Sequence, residues 1–271
     1  MTQKSTAYCP AVIAAAFNEL TGDVTCSNEF QEWFFGRFGD MDLSALSDNL
    51  WAMAGAAADI NAFFEEKGFP EIKVDMPGVA AVFKLAVEWA NQGQKSFMFL
   101  DEGTFQGAEF DVDDENVQLL SVEGQEYPVL KLATKDEGWN VYIQEMPEFD
   151  GASSELPDIA QQIVASSKGA VPHRAGAVMV PASSIDTDVD VDDFVGLEKD
   201  WLKVGAAVKK VRFEFDHKGA KAEAAFAAVL ESAMGPQPYQ VTKSYVAVFQ
   251  HDDMAEAAFT AFVTPESWTR M

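Results

Sequence analysis

The sequence predicts an α+β protein in which helices occupy the first third of the chain and strands the rest. Apolar residues recur at helical spacing up to Phe64, and apolar and polar residues alternate through most later segments. The chain has 271 residues, of which 48% are hydrophobic and 12% aromatic. A chain of this length and composition can bury a full core, so we expect a single domain over residues 1–271.

Three helices are predicted in the N-terminal part. Residues 10–20 carry apolar side chains at helical spacing, and Ser27 can cap the aromatic run at residues 29–38. A single apolar face indicates a third helix, which Gly68 and Pro70 terminate. The members of that face are Leu46, Leu50, Met53, Ala57, Ile60 and Phe64.

Later segments predict mainly strands. Residues 79–93 fit either a strand or a helix, and residues 156–167 predict a short amphipathic helix. A turn at residues 135–138 divides one sheet-like segment into a hairpin. The predicted strand segments are residues 97–112, 116–148, 176–181, 206–216 and 244–265, the last being a pair around a polar turn.

The charge and the cysteines exclude several classes of function. A net charge of -25, from 44 acidic and 19 basic residues, repels polyanions, so nucleic acid is not an expected partner. Cys9 and Cys26 provide neither a disulfide framework nor a metal-ligand set, and no cofactor is expected. The apolar run at residues 11–17 is too short to span a membrane and favours a helix start over a signal peptide. We expect a soluble monomer, cytoplasmic or secreted.

Catalytic motifs are not evident in the sequence. It contains no G-x-S-x-G elbow, P-loop, dinucleotide fingerprint or H-E-x-x-H motif. His173, His217 and His251 lie in polar, turn-like contexts that favour solvent exposure over catalysis, so we expect that the chain is not an enzyme.

An acidic run spaces its aspartates by two residues, which places their carboxylates on one face of a strand. These are Asp186, Asp188, Asp190 and Asp192. Calcium is conceivable there, but Val191 occupies the position at which an EF-hand loop needs glycine. We therefore expect a solvated strand edge and no metal site.

Residues 217–239, HKGAKAEAAFAAVLESAMGPQPY, leave two interpretations open. As a helix, the segment has one amphipathic face and a Gly-Pro stop, which taken alone is the favoured interpretation. As a strand, it would present only the small side chains of Ala220, Ala222 and Ala224 on one face, with Lys221 and Glu223 on the other.

Several segments, in order along the chain, resemble the serpin family. VLKLATKDEGWNVYIQEMPE at residues 129–148 is similar to a serpin hairpin, and AGAVMVPASSIDTDVDVDDFVGLE at 175–198 to the Pro-Lys-Phe strand and the helix after it. VRFEFDHKGAKAEAAFAA at 211–228 resembles the strand and loop hinge. The resemblance covers residues 57–265 and leaves residues 1–56 as a helical segment outside it, so a shortened, divergent member is expected.

The resemblance implies an inhibitor of a serine or cysteine protease. It implies an exposed reactive loop over residues 219–242, a hinge at Gly219, Ala220, Ala222 and Ala224, and a scissile bond between Ala233 and Met234. After cleavage the loop would insert into the main sheet as a strand. A small residue before the cut favours elastase-like or subtilisin-like proteases.

The chain departs from the serpin pattern in and after the hinge. His217 stands in place of the hinge acid, Ala220 in place of threonine and Lys221 in place of glutamate. The alternative interpretation is therefore a non-inhibitory serpin-fold protein with a binding or structural role.

Overall fold

The structure, a computed structural model, describes residues 4–113, 115–150, 153–189, 192–199, 202–205, 207, 209–220 and 238–271. These residues form two compact units. The first unit comprises residues 4–8, 86–186 and 212–271, and the second comprises residues 9–85 and 187–211, in each case within the described ranges. The predicted single domain is not tested by this division and stays a prediction.

The described residues form four α-helices, twenty strands and four short 3-10 helices. The α-helices are α1 (Pro10–Asn18), α2 (Glu29–Phe38), α3 (Ala57–Glu66) and α4 (Leu156–Ser167). The first ten strands are β1 (Thr6–Tyr8), β2 (Val24–Thr25), β3 (Leu50–Gly55), β4 (Gly78–Phe83), β5 (Val87–Glu88), β6 (Gln94–Leu100), β7 (Gly103–Asp111), β8 (Val117–Ser121), β9 (Val129–Ala133) and β10 (Trp139–Glu145). The remaining strands are β11 (Val171–Pro172), β12 (Ala177–Pro181), β13 (Ser183–Val189), β14 (Glu198–Lys199), β15 (Leu202–Lys203), β16 (Lys209–Phe215), β17 (Gly219–Ala220), β18 (Tyr239–Gln240), β19 (Tyr245–His251) and β20 (Phe259–Val263). The 3-10 helices are Ser44–Leu46, Ser153–Glu155, Asp192–Phe194 and Pro265–Ser267.

A seven-stranded antiparallel sheet forms the centre of the first unit, in the order β1-β20-β19-β10-β9-β8-β11. Its longest pairing joins β10 to β19, from Trp139 opposite His251 to Glu145 opposite Tyr245. Every residue of β10 is buried, and α4 packs on β10 and β20. The hairpin predicted around residues 135–138 and the final strand pair are therefore confirmed as β9–β10 and β19–β20.

A four-stranded sheet in the first unit has the order β18-β12-β7-β6. Its inner pairings are antiparallel, whereas the two-residue edge strand β18 runs parallel to β12. Two further pairs, β5–β17 and β13–β16, are two-stranded sheets. The strands predicted at residues 97–112 and 176–181 are confirmed, and the undecided segment at 79–93 contains the strands β4 and β5.

The second unit contains α1, α2 and α3 with the antiparallel pair β3–β4. The helix α3 packs Ile60 and Phe64 against Ala80 and Val82 of β4. The first two predicted helices are confirmed, although the side chain that caps α2 is Asn28, which accepts from the Gln31 N–H at 2.8 Å, and not Ser27.

The third predicted helix is wrong over its first half. Leu50–Gly55 is the strand β3, which pairs along its whole length with β4, from Leu50 opposite Phe83 to Gly55 opposite Gly78. Only Ala57–Glu66 is helical. Apolar residues at 50 and 53 fit helical spacing, but pairing with a strand later in the chain overrides this local preference. The N-terminal segment up to residue 56 is thus not purely helical, while the predicted α+β class is confirmed.

Candidate hinge site

The proximal end of the predicted loop is set by strand β16. Its apolar residues alternate as the sequence predicts, and Phe213 and Phe215 are buried. The Phe215 ring centroid lies 5.3 Å from that of Trp89 and 6.4 Å from that of Phe110. Because Trp89 is itself completely buried, this aromatic contact fixes the end of the strand at which the chain turns.

The chain leaves β16 through a turn at residues 216–219. One carboxylate oxygen of Asp216 accepts the backbone N–H of Lys218 at 2.7 Å and that of Gly219 at 3.1 Å. The backbone N–H of Asp216 donates in return to the carbonyl of Gly219 at 3.0 Å. Aspartate commonly closes turns by accepting hydrogen bonds from the backbone that follows it. Asp216 therefore stabilises the turn through which the chain passes from β16 to β17.

Three consecutive carbonyl groups of this turn accept hydrogen bonds from the segment at residues 89–93. The indole Nε1 of Trp89 donates to the carbonyl of Asp216 at 2.9 Å. The backbone N–H of Trp89 donates to the carbonyl of Lys218 at 3.1 Å, and that of Gly93 to the carbonyl of His217 at 2.8 Å. Buried carbonyl groups need such partners, so the turn is held through its backbone and not through exposed side chains.

Directly after the turn, β17 pairs antiparallel with β5, with Gly219 opposite Glu88 and Ala220 opposite Val87. Both residues of β17 are buried. A Cβ atom at position 219 would overlap the carbonyl oxygen of Val87 and lie 3.1 Å from its carbonyl carbon and 3.2 Å from the Cα of Glu88. Since all three atoms belong to the backbone, the close approach of the two strands requires glycine at 219.

The strand that receives β17 is held on its other side by residues 133–135. The N–H of Ala90 donates to the carbonyl of Ala133 at 3.0 Å, and the N–H of Lys135 to the carbonyl of Glu88 at 2.8 Å. The side chain of Lys135 also hydrogen-bonds Glu88 at 2.6 Å, and this bond and its charge lower the pKa of that carboxyl. Both side chains are more than half exposed, so the backbone bonds carry most of the stabilisation.

His217 lies within this turn and is half-buried. Burial lowers the pKa of its imidazole, the negative charge of Asp216 opposes that shift, and the positive charges of Lys218 and Lys95 add to it. Loss of hydration disfavours the imidazolium form. The turn therefore favours a neutral imidazole at position 217.

The distal end of the predicted loop is anchored in the same unit. Strand β18 pairs with β12 through two residue pairs, Val178 with Tyr239 and Met179 with Gln240, and the N–H of Val241 donates to the carbonyl of Met179 at 2.9 Å. Such a short parallel pairing is a weak attachment by itself.

A buried carboxylate supplements that attachment. Glu145 is 5% exposed and accepts the N–H of Thr242 at 2.7 Å and that of Lys243 at 2.8 Å on one oxygen. Its other oxygen accepts the hydroxyl of Tyr239, and burial first, then this bond and the carboxylate charge, raises the pKa of Tyr239 well above the usual tyrosine value. We call Glu145 and its three donors the distal clasp.

Only part of the predicted site lies in the described structure. Gly219 and Ala220, the first two of the predicted hinge residues, pair with β5. The other two hinge residues, Ala222 and Ala224, and the predicted scissile-bond residues Ala233 and Met234 lie outside the described residues.

Sequence reasoning missed Trp89 and Glu145. Glu145 carried a usable signal, since it shares strand parity with the apolar residues Val141 and Ile143 and therefore projects a carboxylate from an apolar face. Trp89 carried none, because its partner at 216 is far along the chain.

The histidine prediction needs correction. His173, His217 and His251 are each half-buried and not solvent-exposed. His251 is the last residue of β19 and packs edge-on against Trp139, with ring centroids 5.2 Å apart. Turn-like neighbours in the sequence therefore did not predict exposure, because strand pairing brings a partner ring to the same place.

Of the acidic run, Asp190 lies outside the described residues. The side chain of Asp188 is 88% exposed, and Asp186 pairs with Arg212 at 3.2 Å. Within the described ranges, no group of three His, Cys, Asp or Glu residues could hold a metal ion. No helix in the described part of the chain is long and apolar enough to span a membrane.

Comparison with curated proteins gives a partial match. No protein-family model matches the chain. Over 154 residues the chain is 25% identical to plasminogen activator inhibitor 1 of Mus musculus, a match that covers 50% of this chain and 38% of that protein. The chain thus spans well under half the length of this relative, which fits the shortened member that the sequence predicts.

Comparison with solved structures covers nearly the whole chain. A thyroxine-binding globulin in complex with thyroxine has a TM-score of 0.62 at 15% identity, over 96% of this chain and 92% of its own. Serpin48 of the insect Tenebrio molitor has a TM-score of 0.54 at 14% identity, over 97% of this chain and 92% of its own.

The order of the strands, together with the turn that pairs β17 with β5, defines an α+β protein with a segment fixed at both ends in one unit. Serpin48, which is named as a serpin, matches this fold over 97% of the chain. The chain is a serpin-fold protein, and the fold that the sequence resemblance implies is confirmed.

Proposed function

We propose that the chain inhibits a serine or cysteine protease by the serpin mechanism and is not itself an enzyme. The reactive loop is residues 219–242, the scissile bond joins Ala233 to Met234, and the cut loop inserts as a strand beside β5. The observation that carries the proposal is the pairing of Gly219 and Ala220 with Glu88 and Val87, which gives the first two residues of such a strand.

The chemistry of the hinge site supports insertion from this end. Ala220 is 4% exposed and small, so it enters a packed environment without a polar group to desolvate. In an inserted strand Ala222 and Ala224 would share its face, because alternate residues of a strand face the same way. A chain continuing from β17 in the same register would therefore bring methyl groups to that face at positions 220, 222 and 224.

The mechanism divides the work between protease and inhibitor. The nucleophile of the protease attacks the carbonyl carbon of Ala233, the bond to the nitrogen of Met234 breaks, and the protease stays joined to Ala233 as an acyl-enzyme. Extension of β17 would then carry the acyl-enzyme away before water hydrolyses it. The strand hydrogen bonds gained as β17 lengthens would stabilise the inserted state and make the step hard to reverse.

The residue before the cut bears on the target. Alanine at position 233 fits the small specificity pocket of elastase-like or subtilisin-like proteases, whereas cleavage one bond away, after Met234, would suit a chymotrypsin-like pocket. We therefore propose proteases of the first two kinds as the partners.

The test is complex formation with a matched pair of variants. The wild-type chain is incubated with an elastase-like and a subtilisin-like protease, run on a denaturing gel, and the cut is located by mass spectrometry. The expected result is a denaturant-resistant complex cut after Ala233. Ala222→Arg should turn inhibitor into substrate because it drives a charge into the sheet, whereas Glu223→Arg, on the opposite face of the inserted strand, should keep the complex. Equal complex formation by both variants would contradict insertion.

The second candidate function is a non-inhibitory binding protein. It is favoured by the likeness over 96% of this chain to a globulin that is named for binding thyroxine. The discriminating measurement is the unfolding temperature before and after cleavage within residues 221–237. A large rise supports strand insertion, and an unchanged temperature together with no protease complex supports the binding protein.

A further inference from the structure

The distal end of the predicted loop is attached in two different ways. The β18 strand contributes only two residue pairs to the four-stranded sheet. The second attachment is to Glu145, the last residue of β10, which belongs to the seven-stranded sheet of the same unit. The carboxylate of Glu145 therefore joins the chain after the loop to the seven-stranded sheet, whereas β18 joins it to the four-stranded sheet.

The geometry of the carboxylate fits this task. Both oxygens are used, one by two consecutive backbone N–H groups of Thr242 and Lys243 and the other by the Tyr239 hydroxyl. Hydrogen bonds to an ionised acceptor are stronger than neutral ones, and a buried donor left without an acceptor is costly. Since Glu145 is almost fully buried, water cannot replace it as the acceptor.

The strand pairing places Glu145 rigidly. Its backbone lies opposite Tyr245 at the end of the β10–β19 pairing, and the next residue, Met146, donates its N–H to the carbonyl of Ser244 at 2.7 Å. The hydroxyl of Tyr245 meets the Ser183 hydroxyl at 2.9 Å. The carboxylate is thus held by a strand that is buried throughout, and the chain after the loop is brought to it.

We propose that Glu145 is a positioning residue that holds the distal end of the reactive loop in place through the distal clasp. This inference rests on the proposed function for its consequence, but the clasp itself can be tested without it. An anchor at Tyr239 would limit how far the bond after Ala233 can move, and so keep that bond within reach of the protease. Releasing the anchor would let the segment from 238 to 243 move with the loop.

The test compares three variants with the wild-type chain. Glu145→Leu keeps the volume and removes the acceptor, so all three donors lose their partner. Glu145→Gln keeps one acceptor oxygen for the two N–H groups, and its amide can donate to the Tyr239 hydroxyl, which can accept. Glu148→Leu, at an exposed carboxylate of the same segment, is the matched control.

The first readout is amide hydrogen exchange. In Glu145→Leu, the amides of Thr242 and Lys243 should exchange about tenfold faster or more, while the amide of Val248 within β19 stays protected. Glu145→Gln should fall between Glu145→Leu and the wild type, and Glu148→Leu should match the wild type. Unchanged exchange at Thr242 and Lys243 would overturn the assignment. Equal loss of protection at Val248 would also overturn it, because Glu145 would then stabilise the whole sheet and not the loop end in particular.

The second readout separates the clasp from the proposed function. The share of chains that form the protease complex should fall in Glu145→Leu and recover partly in Glu145→Gln. If the wild type forms no complex, the proposed function fails, yet the exchange comparison still decides the role of Glu145. If Glu145→Leu does not fold, Glu145→Gln and Tyr239→Phe replace it. Exchange at Thr242 and Lys243 should then be faster than in the wild type in Glu145→Gln and near the wild-type rate in Tyr239→Phe, which keeps the acceptor of both amides.

Discussion

Substitution of Gly219 by alanine tests the hinge site most directly. The added methyl group would overlap the carbonyl oxygen of Val87 and crowd two further backbone atoms, so no side-chain rearrangement can make room for it. The Val87–Glu88 strand cannot withdraw freely, because its other side is bonded to residues 133–135. The remaining way to relieve the overlap is to separate β17 from β5.

The cost of Gly219→Ala in the free energy of unfolding follows from these two possibilities, an overlap that is tolerated or a separation of β17 from β5. Overpacking of a tight site typically costs about 1–3 kcal/mol, and separation would instead lose a few backbone hydrogen bonds at about 1 kcal/mol each. Either way the expected loss in the free energy of unfolding is about 1–3 kcal/mol. A local opening of that size corresponds to roughly 5- to 150-fold faster amide exchange, at about tenfold per 1.4 kcal/mol.

Hydrogen exchange at Trp89 and Gly93 is the assay, since these amides donate to the carbonyls of Lys218 and His217. The control is Gly169→Ala, because a Cβ at position 169 meets no atom within 4 Å. Both variants are also unfolded in urea. If Gly219→Ala keeps the exchange protection of Trp89 and Gly93 and the unfolding midpoint of the control, the close approach of β17 to β5 is refuted.

Three further predictions concern the same unit and the charge of the chain. Trp89→Phe should lower the free energy of unfolding by about 1–3 kcal/mol in urea, because it leaves the carbonyl of Asp216 without its indole donor; an unchanged midpoint would show that another group replaces the indole. Because the pKa of His217 is lowered in the folded chain, the unfolded chain binds more protons below about pH 6.5. The contribution of His217 to the free energy of unfolding should therefore be fully present above that pH and be lost as the pH falls. His217→Gln should flatten this part of the pH profile, and a profile identical to that of the wild type would contradict the prediction. Raising NaCl from about 0.05 M to about 0.5 M should raise the unfolding temperature through screening of the -25 net charge, and a fall on adding salt would mean that attractive ion pairs dominate.

Strands and helices whose pattern is local were predictable from the sequence. The hairpin β9–β10, the pair β19–β20 and the helix α4 all lie where alternation or helical spacing indicates them. The strand β3 was not predictable in this way, because its partner β4 lies further along the chain and its own residues fit a helix equally well. Periodicity reports which face is apolar, but not which partner covers it.

The candidate site likewise has residues that the sequence predicts and residues that it does not. Small residues at 219 and 220 are visible in the sequence, and the strand interpretation of that stretch assigns Ala220 to the packed side. The groups that hold the site together are not visible, since Trp89 reaches Asp216 and Glu145 reaches Thr242 across long separations in the chain. Such contacts depend on the complete sheet order, which a single sequence does not provide.

The two anchors by themselves do not separate the two candidate functions. Both a binding protein and an inhibitor can have a segment fixed at Ala220 and at Tyr239, so the anchors alone favour neither. An inhibitor additionally needs the proximal pairing to lengthen while the distal clasp holds, and this requires small residues on one face beyond Ala220. A binding protein has no such requirement. Consequently Gly219→Ala and Glu145→Leu should alter exchange protection under either function, whereas only an inhibitor should distinguish Ala222→Arg from Glu223→Arg.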